Sequence, residues 1–186
     1  MNENYKNKIS KYIYAKDNNK PHLMKNIFTS SAKLDMKLKT ENISFPSETL
    51  GLTSISKVLI NDFNKTYENI YTICLTDSLV QDNKSVKCNW FVIMTEKENN
   101  MIRFGYGSYY WSFNSKDNDL VDYLNITIEN MIILEKEFYF EIFDWFTKIP
   151  YPWADTKIVA NTVPDIDLFK PFKIFLDMQD INLLKE

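Results

Sequence analysis

The chain has 186 residues, with 22 lysines and arginines against 25 aspartates and glutamates, a net charge of −3 and an aromatic share of 15%. That length suits one domain, or one domain with an extension, and is enough to bury a real core. No basic stripe exists to follow a phosphate backbone, so nucleic acid is not an expected partner.

The polar start, MNENYKNKIS, is not followed by an apolar signal core, and no apolar run is long enough to cross a bilayer. The expectation is a cytoplasmic protein that does not engage a membrane. Cys74 and Cys88 are the only cysteines and fall in strand-like stretches, where they read as small buried hydrophobes. With His22 the one histidine, a multi-histidine metal site is ruled out. Gly51, Gly105 and Gly107 are too few and too scattered for a phosphate loop. Neither a metal nor a cofactor is expected.

Tyr5, Ile9, Tyr12, Ile13 and Lys16 recur at spacings of three and four, which predicts an amphipathic helix over Tyr5 to Lys16, ended by Asp17, Asn18 and Asn19. Pro21 in a first turn, with Leu23, Met24, Ile27 and Phe28 on one face, predicts a shorter second helix. Ala32, Leu34, Met36 and Leu38 then alternate with Lys33, Asp35, Lys37 and Lys39, a half-buried strand whose lysines suit a sheet edge. After a loop holding Pro46, Thr53 or Ser54 can cap a third helix carrying Ile55, Val58, Leu59 and Phe63. Strands follow over Asn69 to Ser78, Ser85 to Glu96, Met101 to Asn114 and Asp119 to about Leu134, joined by turns that pair them antiparallel. A fourth helix, Glu137 to Ile149, ends at Pro150 and Pro152. Residues 154–186 read as a partly helical extension whose large apolar groups pack on the body or on a second subunit.

The stretch MIRFGYGSYYWSFN organises the rest. Alternation places Met101, Arg103, Gly105, Gly107, Tyr109, Trp111 and Phe113 on one face and Ile102, Phe104, Tyr106, Ser108 and Tyr110 on the other. Both faces are apolar, so the strand is central and covered on two sides. Two glycines on one face predict a strong bend. Helices first and sheet afterwards define an α+β class.

This order of elements, with YIYAKDNNKPHLMKNIFTSSAKLDM at 12–36, GLTSISKVLINDF at 51–63, GSYYWSF at 107–113 and WFTKIPYPW at 145–153, resembles the SnoaL-like branch of the nuclear transport factor 2-like superfamily. The resemblance covers roughly residues 5 to 153, and residues 1–153 are expected to form the domain. It implies a cone-shaped, strongly curved antiparallel sheet covered by N-terminal helices. The superfamily includes steroid isomerases, scytalone dehydratase, polyketide cyclases and dehydrochlorinases beside members that only bind or scaffold, so the fold alone selects no reaction.

Laid over residues 12–36, the ketosteroid isomerase pattern puts its first-helix tyrosine on Tyr12, its second-helix phenylalanine on Phe28 and its base on Met36, a thioether that cannot take the proton. Asp35 is adjacent but faces the other way in a strand. The histidine of the dehydratase pattern has no counterpart in YENIYTICLTD, where Tyr71 or Thr72 stands nearest. Tyr12, Asp17, Asp35 and Tyr71 are the weak catalytic candidates, and Tyr12, Met36, Trp90, Tyr109 and Trp111 the pocket candidates; His22 reads as a surface residue. The expected function is to hold a small apolar ligand, aromatic or polycyclic, in the cone, and the loss of the recognised bases leaves binding without turnover as an open option. The alternatives are a cofactor-independent lyase or isomerase acting next to a carbonyl, and a dimeric module whose cavity is filled by its own side chains. A homodimer through one sheet face is expected.

Overall fold

In the computed structural model, which describes residues 3–183, the first helix α1 spans Glu3–Asp17 and buries the stripe Tyr5, Ile9, Tyr12 and Ile13. Lys16 continues that stripe and is buried with it. The segment Pro21–Asn26 forms a 3₁₀ turn, not a full helix, and strand β1 begins at Phe28 and runs to Leu38. The Ile27–Phe28 pair that suggested a helical face therefore belongs to the turn-to-strand junction.

The third helix is continuous over residues 52–66: α2 (Leu52–Ser56), a π-helical stretch over Lys57–Asp62, and α3 (Phe63–Thr66). Its first residue follows Gly51 at φ +81°, so the entry is made by a glycine conformation and not by a Thr53 or Ser54 cap. Leu59 and Ile60 face inward.

Strand β2 (Glu48–Leu50), β3 (Tyr67–Leu75), β4 (Val80–Gln81), β5 (Ser85–Glu96), β6 (Ile102–Asn114), β7 (Leu120–Leu134) and β8 (Trp153–Ala154) join β1 in a sheet ordered β2-β1-β7-β6-β5-β3-β8, with β4 beside β5. The meander β5–β6–β7 and the β3–β5 pair are antiparallel, while β1 on β7 and β8 on β3 are parallel. The sheet is thus mixed, and it curls without closing. Strand β1 is not an edge: β2 covers it, and Lys33 reaches Asp35 at 3.3 Å and Glu48 at 2.7 Å.

The curl has an identifiable source. Between Tyr106 and Gly107 the β6–β7 register slips, Tyr106 opposing Asn130 and Gly107 opposing Ile128, so Glu129 is an extra residue on β7. A Cβ on Gly107 would lie 1.9 Å from the Thr127 carbonyl oxygen, an approach only glycine permits. Gly105 is crowded instead by the Met131 methyl, 2.5 Å from where a Cβ would stand.

Two cores follow from the bend. On the concave side Tyr109, Trp111 and Phe113 of β6 meet α1, and on the convex side Phe104 and Tyr106 meet the C-terminal segment. That segment comprises α4 (Tyr139–Phe146), α5 (Thr156–Thr162) and α6 (Lys170–Leu183). Phe172 of α6 packs at 4.7 Å from Phe104 and 5.4 Å from Tyr106, and Phe169 at 4.7 Å from Phe104. The chain's own helices cover the convex aromatic residues. Among the described residues no helix is long and apolar enough to cross a membrane. Residues 184–186 of the predicted extension lie outside the described residues.

The bulge gives a differential expectation. Gly107→Ala, whose methyl meets backbone, should lower stability by about 3 kcal/mol or more, whereas Gly105→Ala, whose methyl meets a flexible methionine end, should lose about 1 kcal/mol; urea unfolding of the two variants checks the order.

Candidate functional site

The concave face narrows to a cavity between α1, the helix over residues 52–66 and strands β1, β3, β5, β6 and β7. Met36, Ile126 and Ile128 form one wall, Trp90, Val92 and Met94 another, and Leu59 closes it from the helix. Its volume, about 40 Å³, accommodates a group the size of about three waters, each needing roughly 10–15 Å³ on this measure. A polycyclic ligand does not fit that space as it stands, because Met36, Trp90 and Tyr109 occupy the cone.

Aromatic contacts fix the polar groups of the wall. Trp90 stacks on Tyr109 at 5.2 Å, and Tyr12 stands edge-on to Tyr109 at 6.2 Å and to Phe28 at 6.1 Å. Trp111 lies behind, 5.0 Å from Tyr12, and supports the wall without forming it. The Tyr12 hydroxyl and the Trp90 indole N–H are buried and lack a hydrogen-bond partner in the protein. Tyr109 is near enough to lower the Tyr12 pKa slightly, but without the geometry of a formed bond. Burial, and then the negative charge of Asp17, push the Tyr12 phenol far above its ordinary value. Burial, then the neighbouring Tyr12, does the same for Tyr109. Both therefore keep their protons and serve as donors, not bases.

One charged group reaches the wall. Lys16 Nζ donates to Asp17 Oδ1 at 2.6 Å and to Thr72 Oγ1 at 2.8 Å, with side-chain exposures of 8% for Lys16 and 2% for Asp17. Nζ also lies 5.2 Å from the centre of the Phe63 ring. Asp17 is saturated: Oδ1 also accepts from the Thr72 hydroxyl at 3.0 Å, and Oδ2 accepts from the Thr72 amide at 2.7 Å and the Tyr151 hydroxyl at 3.0 Å. It stands behind Lys16, not on the cavity surface. The PYPW segment thus clamps α1 twice, because Trp153 Nε1 donates to Ser10 Oγ at 2.8 Å.

The remaining sequence-selected residues lie elsewhere. Asp35 faces away from the cone and accepts from the Tyr123 hydroxyl at 2.9 Å. Tyr71 is exposed on the opposite face of β3 from Thr72, edge-on to Phe143 and Tyr151 at 6.2 Å each. His22 is exposed and borders a separate surface hollow with Pro21 and Lys25. Lys16 and Thr72 were not singled out from sequence as site residues. Lys16 carries a signal, since it falls in phase with Tyr5, Ile9 and Tyr12; Thr72 carries only its place beside Tyr71, nearest to the missing dehydratase histidine. No cluster of three or more His, Cys, Asp or Glu side chains among the described residues could hold a metal ion. Cys74 and Cys88 are buried free thiols, and burial pushes the Cys74 thiol up.

The curled mixed sheet with helices on its concave side is the nuclear transport factor 2-like, SnoaL-like fold. Three solved structures carry that comparison. LinA has a TM-score of 0.56 at 12% identity over 68% of this chain and 84% of its own. A provisional scytalone dehydratase from Novosphingobium aromaticivorans DSM 12444 gives 0.53 at 12% identity, over 68% and 83%. A protein of ketosteroid isomerase-like fold from Catenulispora acidiphila DSM 44928, in complex with trimethylamine, gives 0.52 at 9% identity, over 64% and 82%. No protein-family model and no curated protein matches the sequence.

The buried pair sets a stability test. Asp17→Ala, which strands a buried ammonium, should cost about 3–5 kcal/mol, and the double variant Lys16→Met with Asp17→Asn should recover a large part of it, as measured by urea unfolding.

Proposed function

We propose that the protein binds a small neutral molecule with an apolar body and one hydrogen-bond acceptor, such as a short ketone, inside the cone, and releases it unchanged. The observation that carries this reading is the pair of buried donors without partners, Tyr12 Oη and Trp90 Nε1, on two residues that line a mostly apolar chamber whose Lys16 and Thr72 are already paired. A buried donor left unpaired costs about 1–3 kcal/mol, and an acceptor on the ligand removes that penalty. Methionine, isoleucine and valine side chains take the rest of the molecule.

Charge selects neutrality. The one cation on the wall, Lys16, is already matched by Asp17, so an added carboxylate would be buried without a counterion. An isomerase or lyase acting next to a carbonyl would need a proton acceptor on this wall, and among the described residues the wall holds no carboxylate or imidazole. Met36 stands at the place where the resemblance would put that base.

Titration with 2-butanone, followed by calorimetry and by quenching of tryptophan fluorescence, tests the proposal. Binding should be saturable, weaken about tenfold in Tyr12→Phe, the loss of one buried hydrogen bond, and vanish in Met36→Phe, which fills the chamber. Propionate should not compete. Absence of saturable ketone binding, or equal binding of propionate, would contradict it.

A further inference from the structure

The chamber around Tyr12 and Lys16 has a neighbour. A second hollow of about 440 Å³ lies outside it, bordered by Ser44, Pro46, Lys57, Val58 and Tyr67. Ile43, Phe45 and Phe63 border both spaces. They are the partition between them.

The partition is thin and held by few bonds. Phe45 and Phe63 are half-buried and stack at 6.1 Å with their planes 24° apart. Phe45 sits on an irregular segment anchored at its two ends: Asn42 Nδ2 donates to the Met131 carbonyl at 2.7 Å, and the Met36 amide donates to the Ser47 carbonyl at 2.9 Å. Among the described residues, those between the anchors, 43–46, make no hydrogen bond. Ile43 is buried in the core and holds one end, while Ser44 and Pro46 on either side of Phe45 are exposed, so opening of the partition needs only the turn that carries Phe45 to move. Phe63 leaves the π-helical stretch Lys57–Asp62, whose wider turn sets it over the Lys16 ammonium at 5.2 Å. Lys16 therefore touches both the ligand chamber and the partition.

We infer that Phe45 and Phe63 form a gate, and that the complete binding site is the inner chamber joined to the outer hollow, taking an elongated neutral carbonyl compound whose head lies against Tyr12 and Trp90 and whose chain passes the gate. This rests on the binding reading above and extends it. The inner space alone is far below the roughly 300–1,000 Å³ of ordinary ligand sites, and the outer hollow supplies the missing volume. The tail is uncharged because, among the described residues, the ionic side chains on the outer wall are Lys57 and Asp62, which pair with each other.

A homologous series of methyl ketones from 2-butanone to 2-decanone, measured by calorimetry on the intact chain, tests the gate separately from the chamber. Affinity should rise about fourfold for each added methylene beyond the length that fills the inner space, since each buries apolar surface in the outer hollow. Ser44→Tyr, which occupies that hollow, should lower the ratio of 2-decanone to 2-butanone affinity at least about tenfold, equivalent to the burial of two or more methylenes. Phe45→Ala should speed 2-decanone association, read by stopped-flow quenching. If 2-butanone binds but affinity stops rising at 2-pentanone, and Ser44→Tyr leaves the ratio unchanged, the gate is wrong and the chamber stands. If 2-butanone does not bind, both readings fail.

Discussion

An ammonium removed from water must be matched, and the match made by Lys16 determines much of this molecule. Its partner is the next residue, Asp17, and Asp17 in turn holds the amide and hydroxyl of Thr72 on β3 and the hydroxyl of Tyr151 beyond α4. One carboxylate thus joins the end of the first helix to the sheet and to the C-terminal segment. Because the pair is complete, the wall it reaches carries no net charge. That electrical neutrality, more than the shape of the cone, decides what kind of guest the chamber accepts.

Curvature is the second requirement. The extra residue at Glu129 and the contact of Gly107 with the Thr127 carbonyl bend β6 over β7 so that one strand serves two cores. Tyr109, Trp111 and Phe113 pack toward α1, and Phe104 and Tyr106 pack toward Phe169 and Phe172. The chain invests its aromatic side chains in both layers. What is left open on the concave side is small because Met36, Trp90 and Tyr109 fill most of it.

The long elements were legible because their patterns are local. Alternation with flanking turns located Ser85–Glu96 to the residue and Ile102–Asn114 within one, and the stripe of α1 ran one or two residues past its expected ends. Gly105 and Gly107 announced the bend. Short strands did not show: β2, β4 and β8 have two or three residues and are defined by partners far along the chain. Helix α5, TKIVANT, lacks a helical stripe and is rich in β-branched and polar residues, so its propensity pointed elsewhere. The parallel seating of β1 on β7 is likewise a long-range fact. In the site, periodicity puts Tyr12 on the buried stripe of its helix, but β6 is aromatic on both faces and alternation does not say which one lines the cavity; the bond from Lys16 to Thr72 spans 56 positions and the stacking of Phe45 on Phe63 joins a loop to a helix. Such pairings have no period to betray them.

The claim at the centre is that a buried donor on Trp90 is waiting for a ligand's acceptor, and the indole N–H resonances report on it one by one. The chain has four tryptophans. Trp145 and Trp153 already donate to Thr162 and Ser10 and serve as internal references, while Trp111 is buried behind the wall. In a ¹H–¹⁵N correlation spectrum recorded during addition of 2-butanone, the Trp90 indole proton should shift downfield and saturate, with Trp145 and Trp153 unmoved. An unmoved Trp90 signal, or equal drift of all four, would contradict it.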